Sequence, residues 1–345
     1  MWSLERFYER RWQYGSVSAD DASAPPLAFS GQRLGWADLP PAVRNRISSL
    51  AGARVTAESS ANSGFSPGFA AILELTDGRG VFVKAVSPEQ NPESPDLARA
   101  EIRVAAALPP QVPAPRLYWW HDDGEWVILG FEVAHGRPPE VPWRPDELKL
   151  VLDALIPLAD TEPLPGHALP RTDVKLASDF TGWRRLQQRP ADEIDALVAR
   201  SGEVGAWAQA NIDRLIRWEE DSLRVCTGRA LVHGDLRADN AMIDPDHHRV
   251  TLIDWPHASI GAPWLDLAFM LPSVAMQGGG DPQAHFWSHP VSDGVPPQDL
   301  RAALAGLTGF LTASSVLPAP VGIPNLRRFQ RAQASAALGW LRELA

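Results

Sequence analysis

A single cysteine, Cys226, stands in a chain of 345 residues, so no internal disulfide can hold the fold. No stretch approaches the roughly 18 uninterrupted apolar residues of a membrane span. The opening MWSLERFYERRW also lacks the apolar run that a secretory signal needs. These shortages point to a cytoplasmic protein with no membrane partner. Positive charge is scarce as well: 32 Lys and Arg against 42 Asp and Glu leave a formal net charge of -10. That balance argues against a sequence-independent grip on nucleic acid, which depends on neutralising phosphates. Internal repeats and long low-complexity tracts are absent.

What the chain does have is an ordinary globular composition, 45% apolar and 21% charged, with length enough for two domains sharing a cleft. Its 32 prolines punctuate it, notably in PPQVPAP and RPPEVPWRP, which read as loops. Between roughly 55 and 133 the pattern is strand-like: FAAILEL, a TDGRG turn, VFVKAV, then RLYWW and EWVILGFEV. SPDLARAEIRVAAAL between them reads as a helix with Ser94 as N-cap and Pro95 at its first position. From about 145 the periodicity is helical, as in PDELKLVLDALIPLAD, EVGAWAQANIDRLIRWEED and PNLRRFQRAQASAALGWLREL. The expectation is α+β. Residues 1–133 would form a small antiparallel-sheet lobe with one main helix, including an N-terminal extension over 1–55. Residues 134–345 would form a larger, mostly helical lobe.

Chemistry concentrates in LVHGDLRADN, residues 231–240, where His233, Asp235, Arg237, Asp239 and Asn240 follow an apolar pair. AMI, the turn-like DPDHH and RVTLIDW come next and read as a short hairpin. A turn centred near Asp246 and His247 sets position 240 almost opposite 254. Asn240 and Asp254 would then offer an amide oxygen and a carboxylate, hard ligands suited to Mg²⁺. Asp235 would stand at the edge of that metal site, free to act as a base. A capped polar turn is the plain structural alternative. A hydrolytic metal site using His233, Asp235 and Asp254 is another, with His247, His248 and His257 nearby.

HGDLRADN followed by LIDW resembles the aminoglycoside phosphotransferase and choline kinase branch of the protein kinase-like fold, with Gly234 where protein kinases carry Arg. The resemblance implies a bilobal kinase-like fold and an ATP- and Mg²⁺-dependent transfer of phosphate to a hydroxyl of a small molecule. GTP in place of ATP stays open. It implies Asp235 as base, Asn240 and Asp254 as metal ligands, and His233 as support of the loop. GAPWLDLA fits a further family pattern, in which Asp266 braces the catalytic loop. Arg237 and Asp239 fall at variable positions and receive no catalytic role.

Such an enzyme also needs a lysine for the nucleotide phosphates and an acid to hold it. Lys84 lies in VFVKAV on the strand face of Phe82 and Val86, and a charge on an apolar face needs a partner. Glu101 interrupts the helical stripe Leu97, Val104, Leu108, and is the candidate. Upstream, ANSGFSPGFAA offers Gly64, Ser66 and Gly68 for backbone approach to phosphates, although a hairpin-capping turn fits as well. LGFEVAHGRP resembles the family's inter-lobe segment, where main-chain groups near Glu132 and Val133 would bind the base. The short interval from Asp254 to Asp266 has no room for a long activation loop and favours a small acceptor. Residues 144–229 carry 15 acidic and 12 basic side chains, which does not fix the acceptor's charge. Trp183, Trp207, Trp218 and Trp264 read as core. The quaternary state stays open between monomer and homodimer. A catalytically silent nucleotide-binding scaffold is the competing reading, and the joint presence of Lys84, Asp235, Asn240 and Asp254 weighs against it.

Overall fold

Successive side chains of FAAILEL and GVFVKAV point to opposite faces of one sheet, and each face finds its own helix. In the computed structural model, which describes residues 33–60 and 67–345, five antiparallel strands run in the order β1-β2-β3-β5-β4. They are β1 (Val55–Ser60), β2 (Phe69–Leu75), β3 (Gly80–Val86), β4 (Leu117–Asp122) and β5 (Val127–Phe131). Helix α1 (Pro41–Ala51) starts on a proline, whose missing N–H costs nothing there, and ends on Gly52 in the left-handed region. Its Val43, Ile47 and Ala51 recur every four residues and pack with Phe69, Ala71, Leu73, Val83 and Ala85 on one sheet face. Helix α2 (Ser94–Ala107) covers the other face through Ala98, against Val86, Val127, Leu129 and Phe131.

Two details of α2 differ from the sequence expectation. The N-terminus is capped from outside by Asn91, whose Oδ1 accepts from the main-chain N–H of Glu93 (2.9 Å) and Ser94 (3.1 Å). Ser94 therefore opens the helix instead of capping it. The buried stripe is Ala98, Glu101, Val104 and Ala107, while Leu97 is 38% exposed.

The rest of the chain is mainly helical: α3 (Pro145–Asp153), α4 (Ile156–Ala159), α5 (Thr172–Lys175), α6 (Gly182–Gln187), α7 (Ala191–Ala210), α8 (Ile212–Val225), α9 (Leu265–Met276), α10 (Pro282–Ser288), α11 (Pro297–Ser315) and α12 (Leu326–Glu343). Two segments expected as single helices are broken for local reasons. Pro157 cannot continue α3, because its ring would meet the carbonyl four residues back. At the α7–α8 junction the Asn211 side chain donates to Trp207 O (2.8 Å), offering that carbonyl an alternative to the helical ladder. Helix α11 is buried along most of its length and forms the centre of this region with α8 and α12. Trp183 and Trp264 lie in its core, whereas Trp207 and Trp218 pack only partly buried against it. Among the described residues no helix is long and apolar enough to cross a membrane.

Two small ribbons are inserted among the helices: β6 (Ala230–Val232) paired with β9 (Ser259–Gly261), and β7 (Ala241–Asp244) paired with β8 (Arg249–Leu252). The segment leaving β5 is stitched to β7, with Arg137 N donating to Ile243 O (3.0 Å) and Ile243 N to Arg137 O (2.7 Å). Leu252 N also donates to Pro113 O (2.6 Å), which ties the loop after α2 to β8. The position of the β7–β8 ribbon relative to the sheet is thus fixed by backbone bonds from two directions.

Gly136 makes the first of these contacts possible. Its φ is 102°, and a Cβ there would sit 2.0 Å from Ile243 O. We expect Gly136→Ala to cost about 2 to 3 kcal/mol through overpacking and a strained φ. Urea unfolding monitored by tryptophan fluorescence measures this, and an unchanged midpoint and slope would contradict it.

Candidate active site

Lys84 is the first side chain to place. It sits on β3 opposite Ala70 and Leu129, on the face covered by α2. Its Nζ lies 2.8 Å from both carboxylate oxygens of Glu101 and 2.7 Å from Asp254 Oδ1. Burial works to lower the lysine's pKa, but Asp254 and Glu101 outweigh it, so the ammonium is held above its ordinary range. Burial likewise raises the Glu101 carboxyl against the pull of Lys84. For Asp254, Lys84 overcomes burial and holds the carboxyl well below the usual range. The expected Lys84–Glu101 pair is present, and Asp254 joins it as a third member.

Asp254 reaches that position through an uncommon backbone. Ile253 N donates to Asn240 O (2.9 Å), so the ribbon register sets 240 opposite 253, one residue short of the expected pairing with 254. Asp254 follows with φ 68°, left-handed for a non-glycine residue, and leaves the strand direction toward Lys84.

The loop holding Asp235 is built from inside. Asp266, at the start of α9, accepts from the main-chain N–H of His233 (2.7 Å) and Gly234 (2.9 Å). Burial raises its pKa to about 6, against the pull of those two donors. His233 is fully buried; its Nδ1 accepts from Asp235 N (3.3 Å), which leaves Nε2 to donate to Ile253 O (3.0 Å). Burial pushes this imidazole down to about 3, so it is neutral. Gly234 has φ 81°, and a Cβ there would lie 2.8 Å from His257 O, so no larger residue fits this turn.

Asp235 is therefore fixed at its backbone, and Asn240 adds to this by donating Nδ2 to Asp235 O (2.7 Å) and, more weakly, to Asp235 Oδ2 (3.4 Å). Burial pushes the Asp235 carboxyl up to about 7, with Arg237 opposing and Asp239 and Asp254 reinforcing. Asn240 carries an amide oxygen and Asp254 a carboxylate, both hard oxygen donors. Donors of that kind suit Mg²⁺, which would take the rest of its coordination from phosphate and water. Among the described residues no group of three or more His, Cys, Asp and Glu side chains forms a metal site, and His247 is occupied with Asp244 (2.7 Å) in the exposed turn.

Other expected residues stand apart from this array. Glu132 N donates to Arg116 O (2.8 Å) and its carboxylate lies 3.7 Å from Arg116, so the main-chain groups next in line are the Glu132 carbonyl and Val133. Gly64 and Ser66 lie outside the described residues. Gly68, with φ 112°, is packed against Ala85 and Val86.

Several neighbours of Asp235 carried no readable signal in the sequence. Arg237 is buried and ion-paired with both Asp235 and Asp239. Lys175 on α5 donates to Pro256 O (3.3 Å), and burial lowers it to about 8 while Asp235 and Asp179 pull it back up. Burial lowers His257 to about 4. Arg33, lowered to about 10 by burial, lies in the field of Asp254 and Asp239, so the segment preceding β1 reaches the same cleft.

Residues 63–308 match the sequence model described as the phosphotransferase enzyme family. The chain is 31% identical over 160 residues to an aminoglycoside 3'-phosphotransferase of Streptomyces ribosidificus. That alignment covers 45% of this chain and 56% of the relative, so it spans little more than half of that protein's length. One similar solved structure is a thermostable aminoglycoside phosphotransferase variant in ternary complex with ADP and hygromycin B. It has a TM-score of 0.54 at 17% identity, with 88% of this chain and 97% of that one covered. Plasmodium vivax ethanolamine kinase gives a TM-score of 0.53 at 12% identity, covering 84% of each chain. These likenesses establish the bilobal, protein kinase-like fold expected from the sequence.

The neutral, partly buried His257 has a measurable consequence. Its native pKa of about 4 lies below the ordinary value of about 6.5, so the unfolded chain binds the extra proton first as pH falls. Its contribution to stability is complete above pH ~6.5 and is lost progressively toward pH ~4. Relative to His257→Gln, the native protein should lose about 1 to 2 kcal/mol between pH 7.5 and 5. Comparing urea midpoints of the two proteins isolates this residue from the buried carboxylates. A pH-independent difference would contradict the assignment.

Proposed function

The chain belongs to the phosphotransferase enzyme family, and on that basis we propose that it transfers the γ-phosphate of ATP to a hydroxyl of a small molecule, with Mg²⁺. The curated relative is an aminoglycoside 3'-phosphotransferase, and one solved neighbour holds ADP beside hygromycin B, which supports both the nucleotide and the acceptor class. The ethanolamine kinase of the same fold extends the range of acceptors to amino alcohols. The observation that carries the reading is the convergence of Lys84, Asp254, Asn240 and Asp235 within one polar array between sheet and helices.

In this reading residues 1–133 hold the nucleotide and residues 134–345 supply the catalytic loop and the acceptor pocket. The base of the nucleotide meets the main chain at the Glu132 carbonyl and Val133. The sequence further offers Gly64 and Ser66 to the phosphates. Lys84, kept charged by Glu101, neutralises phosphate charge, and its charge is in place before the reaction begins. Asn240 and Asp254 hold the metal, which when bound spreads the charge developing on the phosphates. Asp235 orients the acceptor hydroxyl and takes its proton. A carboxyl raised to about 7 by burial is matched to accepting a proton near neutral pH. Lys175 and His257 border the acceptor side.

Binding and chemistry should separate by mutation. Asp235→Asn keeps the side chain's shape and should leave Mg-ATP affinity within about twofold, while turnover falls about 10² to 10⁴-fold. Asp254→Ala should lose the extra thermal stabilisation that Mg²⁺ adds to ATP binding. Isothermal titration with the nucleotide analogue AMP-PNP, run beside phosphate transfer from labelled ATP to a panel of aminoglycosides and amino alcohols, checks both. Parallel loss of affinity and turnover in Asp235→Asn would assign that residue to the metal or the fold.

A further inference from the structure

Asp235 is held at its backbone by His233 and Asn240, and the loop around it is anchored by Asp266. None of these contacts fixes the direction of the carboxylate. Two side-chain torsions remain, and Asn240 Nδ2 approaches Oδ2 only at 3.4 Å. The group that takes hold of the carboxylate is Arg237, whose Nη1 donates to Asp235 Oδ1. Arg237 is itself anchored: Nε and Nη2 donate to Asp239 Oδ1 (3.0 Å) and Oδ2 (3.1 Å), a bidentate fork. Its guanidinium carbon lies 5.8 Å from the ring centre of Phe329 on α12.

We infer that Arg237 is a positioning residue for the proposed phosphotransfer: it aims the base, holding Asp235 Oδ1 so that Oδ2 faces the acceptor hydroxyl. The inference rests on the phosphotransferase reading for its purpose, and on the contacts above for its geometry. Three features favour aiming over mere support. The loop backbone is already satisfied by Asp266, His233 and Asn240, so the guanidinium is not needed to close it. The fork to Asp239 spends two donors on fixing the arginine plane, which leaves a single direction for Nη1. The ring of Phe329 on α12 lies beside the guanidinium, so the arginine is also held from a helix distant in sequence from the loop. A planar, five-donor guanidinium meets both carboxylates at once, which an ammonium does not.

The test uses full-length Arg237→Ala and Arg237→Lys, each with two readouts. Crystal structures report the Asp235 carboxylate, and Mg-ATP hydrolysis with water as acceptor reports kcat and KM for ATP. In Arg237→Ala the carboxylate should rotate to another rotamer while the Asp266 bonds to His233 and Gly234 persist. Its kcat should fall about 10²-fold, the scale on which a small misplacement of a reacting group acts, with KM for ATP within about twofold. Arg237→Lys should regain part of the loss, about tenfold. An unmoved Asp235 carboxylate in Arg237→Ala overturns the inference, as does a KM that rises in step with the loss of kcat. Should Arg237→Ala fail to fold, the same two readouts on Arg237→Lys decide: a turned carboxylate and lower kcat at constant KM support it, and native geometry with native kcat overturns it. Absence of both Mg-ATP turnover and transfer to any of the aminoglycosides and amino alcohols in the unmutated protein would sink the phosphotransferase reading, while the crystallographic result would still decide what Arg237 does to Asp235.

Discussion

An ammonium group taken out of water needs anions around it, and Lys84 obtains them from two separate parts of the fold. Glu101 comes from the helix packed on the sheet, and Asp254 comes from the loop after the β7–β8 ribbon, 170 residues beyond Lys84. Removing one partner of such a buried pair typically costs 3 to 5 kcal/mol, because the charge left behind is stranded. The requirement therefore couples three elements. The sheet supplies the lysine, α2 must place Glu101 on its buried stripe, and the ribbon must deliver Asp254 even at the cost of a left-handed backbone. Backbone bonds from Arg137 and Pro113 to the ribbon hold the same alignment from outside the cleft.

A second constraint shapes the helical side. A tight turn beginning at a buried histidine leaves two main-chain N–H groups pointing inward, and Asp266 satisfies both. An unsatisfied buried donor costs about 1 to 3 kcal/mol, so the carboxylate on α9 is a condition for the loop to exist. Once the loop exists, Asp235 and Asn240 are neighbours by geometry, and Asp235 lies where burial and nearby acids raise its pKa while Arg237 opposes them. The polar density of HGDLRADN follows from these needs. Some of its groups build the turn, and others face the cleft that the turn creates.

The sheet, its turn and the pairing of Lys84 with Glu101 were legible because alternation and helical spacing report which face each residue occupies. The loop and the Asp after LID were legible because they lie close together in the chain. Legibility failed where a choice depends on local competition. Asn91 outcompetes Ser94 as the cap of α2, although both side chains are capable acceptors. The ribbon register is off by one because the turn centre falls between residues, and Asp254 then leaves the strand with a positive φ toward Lys84. Leu97 is exposed because the packed stripe is set by small Ala98, which lets α2 approach the sheet. Arg237 gave no signal because its role depends on the 3₁₀ turn at Ala238–Asn240, which brings Asp239 round to meet it. The approach of Arg33 to Asp254 joins residues more than 200 positions apart, and no periodicity encodes that.

Lys84 and Asp254, in contact with each other in the structure, are proposed as two halves of one nucleotide site. A crystal structure of the protein with Mg²⁺ and AMP-PNP tests this most directly. The account predicts that the 2.8 Å contacts between Lys84 and Glu101 persist, and that the 2.7 Å contact between Lys84 and Asp254 opens as the carboxylate turns to the metal beside Asn240. A metal bound elsewhere, with Asp254 still on Lys84, would contradict it.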